Sequence, residues 1–126
     1  MKFLIFTAVL LLLLFGGCLL AVEYIQISAE RIELHFDGLE EAIDAEDWER
    51  ALEIFSHCER EWERVSSRWK AMINHEDMRD IEISFVDLRA VLEQQVLNRA
   101  QQEMATLRYY MRHVPDNERV RLTNVL

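Results

Sequence analysis

Four histidines (35, 57, 75 and 113), two cysteines (18 and 58) and 23 carboxylates are the side chains in this 126-residue chain that could carry chemistry. Their spacing argues against most of it. His75 and Glu76 begin like the helical zinc-protease pattern, but the position four residues after His75, where a second histidine is required, holds Arg79. His57 and Cys58 are adjacent, so on a helix they point about 100° apart and cannot share one ion. Glu40 and Asp44 fall on one helix face, yet such pairs arise in any acidic helix, and general acid–base work needs a cleft around them. With only Gly16, Gly17 and Gly38, the chain has no glycine-rich loop to cradle a phosphate. The reading is therefore of a non-enzyme with no cofactor and no metal site. His75 and His113 stay as candidate functional polar positions because each is expected at a helix boundary, His75 at a start and His113 at an end where the helix dipole favours an imidazolium.

What positions these residues begins with an apolar run. Lys2 is followed by twenty uncharged residues, Phe3 to Val22, which as a helix span about 30 Å, the thickness of a bilayer's hydrocarbon core. Its eight leucines favour insertion by about −2 to −5 kcal/mol. Three fates compete for the segment. A cleaved signal wants small residues before the cut, and Leu19 to Ala21 places a leucine where one belongs. A lipoprotein signal has a degenerate match in Phe15 to Cys18, but the apolar run continues past the cysteine instead of turning polar. A retained anchor over residues 1–22 fits best, with lipidation of Cys18 the lesser alternative. Lys2 on one flank and Glu23 on the other place the N-terminus in the cytoplasm and residues 23–126 outside the cell membrane.

Charge is divided unevenly along the chain. Residues 23–63 carry fourteen acids against three arginines, whereas residues 64–126 are nearly balanced, and the whole chain stands at −9. The acidic part is read as the membrane-proximal hairpin, expected to stand off the anionic lipid itself and to suit a basic protein or a divalent cation. Nucleic acid is excluded, since its phosphates would be repelled. With Cys58 alone beyond the apolar run, an intrachain disulfide is not expected.

Apolar periodicity beyond residue 22 is helical throughout. Ile25, Ile32 and Leu39 mark a helix over about 23–43, followed by an acidic turn whose carboxylates can cap a helix starting near Asp47. The next stripe, Trp48, Phe55, Cys58, Trp62, Val65, Trp69 and Met72, sets three tryptophans on one face of a helix over 47–72. Each buried tryptophan contributes about 4 to 6 kcal/mol before entropy, so Trp48, Phe55, Trp62 and Trp69, with Phe85 of the following helix, are the candidate core. Asn74 with Asp77 makes an N-cap for a helix over 75–94, and a stripe from Leu97 to Val114 gives the last, over 97–114, ending before Pro115. The tail 115–126, with Val120, Leu122, Val125 and Leu126, is apolar enough to fold back on the bundle or to bind a partner. Short connections make the four helices antiparallel neighbours: an all-α domain, either an up-and-down four-helix bundle or two hairpins stacked as in tetratricopeptide repeats. Heptad-like spacing is compatible with a homo-oligomer through a second seam as well as with a monomer.

The anchor, the segment Glu46-Asp47-Trp48 to Ala51, Trp62 and Trp69, His75-Glu76 opening a helix, and the closing His113-Val114-Pro115 through Leu122, Asn124 and Leu126 together resemble the family called domain of unknown function 4363. The resemblance implies a bacterial membrane-anchored protein with a helical remainder, and it implies no activity or catalytic residue. The function expected from all of this is that of a membrane-tethered helical adaptor or scaffold for an unidentified protein partner. A small-ligand or cation-binding domain is the alternative.

Overall fold

The computed structural model describes residues 1–125 and the side chains of all of these except 122, 123 and 125. The helices in chain order are α1 (Lys2–Glu33), α2 (Phe36–Asp44), α3 (Trp48–Met72), α4 (His75–Gln94) and α5 (Leu97–Val125). α1 and α2 make one bent arm, so the bundle has four arms: α1 with α2, then α3, α4 and α5. Each arm packs on the next, and α5 closes the ring against both α1 and α2, while α3 and α5 make no close backbone approach among the described residues. Of the two arrangements open to the sequence, this ring is the up-and-down bundle.

Local chemistry sets most boundaries. Asp47 accepts the Arg50 backbone N–H at 3.3 Å and starts α3, and Asn74 accepts that of Asp77 at 2.8 Å and starts α4. Gln95 ends α4 in the left-handed region at φ 58°. Buried residues then recur along one stripe of every arm, from Ile25, Ala29 and Ile32 through Phe36, Leu39 and Ile43 to Ala100, Met104, Leu107, Met111 and Val114.

Two expectations change. The helix foreseen over 23–43 is continuous with the apolar run below it and bends later, at Leu34 and His35, where His35 N–H bonds to Ile32 O at 3.2 Å and tightens the turn. Gly38 lies inside α2, with a neighbouring methyl of Ile54 at 3.8 Å from where a Cβ would stand. The last helix does not end before Pro115 but runs through it to Val125. Pro115 is buried beside the buried Val114, so packing offsets part of the cost of the hydrogen bond that proline removes from a helix interior. The stretch read as a tail thus belongs to α5. Val120 is exposed on it, and the expected anchoring by Leu122, Val125 and Leu126 lies outside the described residues.

Candidate functional site

Both singled-out histidines are exposed, and they serve different neighbourhoods. His75 is the first residue of α4 and lines an open cleft of about 530 Å³ with Lys70, Met78, Arg79 and Glu82. Lys70 spans the cleft to Glu82, Nζ to Oε1 at 3.0 Å. His113 does not line that cleft. Because α5 continues past it, it is not at a helix end: its ring stacks on Tyr109 at 3.8 Å and its Nδ1 lies 2.9 Å from the Tyr109 carbonyl oxygen. The imidazolium–dipole argument made for a terminal His113 therefore fails. A pairing that sequence order did not reveal joins His35, at the bend, to His57 of α3, with ring centroids 6.1 Å apart. Its only advance signal was that both positions fall on facing helices.

Among the described residues no group of three or more His, Cys, Asp and Glu side chains is placed to hold a metal. Cys58 is fully buried, and burial pushes its thiol up to about 12, so it stays protonated and poorly nucleophilic at neutral pH. The aromatic residues are packed against one another rather than around a void. Trp62 stacks on Phe85 at 5.6 Å and meets Trp69 edge-on at 5.2 Å, and Phe55 tilts against Phe85 at 5.9 Å. Trp69 is fully buried, its indole N–H donating to Ser28 Oγ at 2.8 Å across α3 and α1. Trp48 is only half-buried, at the edge of this core.

Two arginines clamp the arms from outside. Arg108 of α5 donates from Nε to Glu40 at 2.8 Å and from its terminal nitrogen to Asp37 at 3.0 Å, with the guanidinium over the Phe36 ring. Burial works against its charge, but the bonds to Glu40 and Asp37 outweigh that and the pKa is raised. Arg89 of α4 binds Glu59 through Nε at 2.9 and 3.0 Å, reaches Ser56, and covers Phe55.

Other contacts between the arms orient the molecule. Trp69 at the end of α3 meets Ser28, and Arg68 reaches Tyr24, so α3 returns toward the apolar helix, whereas Gln101 at the start of α5 meets Asp44 at the opposite end. The acids of residues 37–53, eight against the single Arg50, consequently gather at the end of the bundle remote from the apolar helix. Adjacency to the apolar run in sequence had suggested the reverse. The near end holds the α3–α4 turn and the C-terminal part of α5. There Met72, Glu118 and Arg121 join Cys18, Ala21, Val22 and Ile25 around a groove of about 410 Å³. Glu118 pairs with Arg121 at 3.4 Å, and burial raises its carboxyl above the usual range, with Arg121 opposing and Asp77 adding to the rise.

These features define an all-α bundle carried on a helix long and apolar enough to cross a membrane, whose apolar stretch is not buried in the bundle. The chain belongs to the family described as domain of unknown function (DUF4363), whose model matches residues 19–125. Neither the curated proteins nor the solved structures contain a match to it.

Proposed function

We propose that the protein is a membrane-tethered interaction module, a non-catalytic bundle that holds an acidic surface away from the bilayer for a basic protein partner. In this reading residues 1–22 are a retained anchor, the N-terminus is cytoplasmic and the bundle lies outside the cell membrane. The observation that carries it is the unbroken course of α1, which passes from the apolar run into the bundle without a linker. Asp44 then stands about 33 Å of helix beyond Val22, with Glu41, Glu46, Asp47, Glu49 and Glu53 exposed around it. A helix continuing through Cys18 also favours the anchor over a lipidated cysteine opening a mature chain.

Attraction between this surface and a basic partner is steered over roughly 10 Å at physiological salt and is screened as salt rises. The test is a photoreactive residue placed at Glu41 or Glu49 in living cells. A recurrent adduct with one basic protein is expected, falling when Glu46, Asp47 and Glu53 are changed to Gln and weakening at high ionic strength. Adducts only between copies of this chain, or binding indifferent to salt, would refute the reading.

A further inference from the structure

We infer that the groove between the anchor and the end of α5 seats a phospholipid of the surrounding bilayer, its acyl chain against the helix and its phosphate at Arg121. The inference rests on the retained-anchor reading above.

The groove's wall runs from Cys18 to Ile25, about 10 Å along α1. Cys18, Ala21 and Val22 belong to the apolar run, and Ile25 lies one turn beyond it, so the groove straddles the level where hydrocarbon gives way to headgroups. Its other side is Met72 at the end of α3, an unbranched, adaptable side chain suited to a flexible chain. The rim away from the wall carries charge. Arg121 is 59% exposed while Glu118, beneath it, is 14% exposed. One guanidinium nitrogen faces Glu118, which leaves the outward donors of the planar fork for a phosphate. An occupant that is apolar on one side, anionic on the other, and present at this depth without being recruited is a membrane phospholipid.

The full chain would be placed in nanodiscs of phosphatidylglycerol and phosphatidylcholine containing a phosphatidylcholine with a diazirine in mid-acyl chain, illuminated, digested with trypsin and analysed by mass spectrometry. Adducts are expected on the anchor and on the peptide 71–79 that carries Met72, with none on the remote peptide 51–60. Ala21→Trp fills the groove and should remove the 71–79 adducts while sparing those on the anchor. Arg121→Gln should lower them about three- to five-fold, the loss of one partly exposed charge contact. Anchor adducts without 71–79 adducts, or 71–79 adducts indifferent to Ala21→Trp, would overturn the inference. A Cys18 disulfide-linked dimer with 71–79 protected would overturn it in favour of a second copy. Intact mass of the protein extracted from cells separates the two readings: a chain lacking residues 1–22 defeats the anchor and the groove together, whereas a full-length chain without groove adducts defeats the groove alone.

Discussion

The bond between the Trp69 indole and Ser28 ties the returning end of α3 to α1, and it is buried. Ser28→Ala would strand the indole N–H and should cost about 1 to 3 kcal/mol in urea unfolding of the detergent-solubilised chain, although the change removes a single oxygen. Ser84 makes the opposite point. Its Oγ is buried without a hydrogen-bond partner, and no feature of the structure accounts for it. Cys58 offers a chemical check on the core: its thiol, buried and pushed up to about 12, should resist iodoacetamide at pH 8 in the native protein and react after denaturation. Rapid native labelling, read by peptide mass, would mean that α3 does not pack as described. At the surface, Arg108 is 19% exposed and binds two carboxylates over an aromatic face, so Arg108→Gln should cost about 1 to 2 kcal/mol.

Among the elements, α5 contains the clearest conflict between local preference and tertiary packing. Pro115 leaves the Met111 carbonyl without its usual helical donor, yet the helix continues to Val125. Pro115→Ala should restore that bond and raise stability by about 1 to 2 kcal/mol after the loss of the buried ring, measured as an upward shift in the thermal midpoint by circular dichroism. A lower midpoint would show that ring packing outweighs the helical bond. This helix also shows where sequence reasoning stopped. Asp47 and Asn74 were legible as caps because a cap is a contact between residues three apart. The aromatic stripe was legible because burial follows the helical period, and Phe55, Trp62, Trp69 and Phe85 are all in the core. The bend at Leu34 and His35 was not, since neither residue breaks helices and both keep right-handed backbone angles. Nor was the passage of α5 through Pro115, which depends on neighbours distant in sequence.

For the molecule as a whole, the location of charge depended on topology. Position in sequence relative to the apolar run suggested an acidic layer beside it; α1 and α2 instead carry those residues to the far end, and the α3–α4 turn and α5 return to the near one. The candidate histidines fared similarly. His75 opened its helix as expected, while His113 lies within one because that helix is longer. Two carboxylates partly buried by this arrangement set a pH dependence. Burial raises Glu33, with Arg112 and Arg108 opposing, and it also raises Glu118. Each binds its proton more tightly folded than unfolded, so each favours the unfolded state at neutral pH and stops doing so as pH falls through the raised folded value toward the ordinary 4.5. Unfolding free energy should therefore increase modestly between pH 7 and about pH 5, helped by partial relief of the −9 charge. Glu33→Gln with Glu118→Gln should flatten that rise, and an unaltered profile would assign it to general charge relief.

The absence of a hinge between the apolar run and the bundle also has a mechanical consequence. With α1 continuous and α3 and α5 bound along its flank, the bundle and the span turn together. A change of about 10° in the span's tilt, ordinary for single helices in bilayers of differing thickness, would sweep the acidic tip sideways by about 6 Å. On the anchoring proposed above, the chain would act as a lever with arms of similar length, about 30 Å within the lipid and about 33 Å beyond it, so membrane thickness would shift the acidic surface without any change of fold.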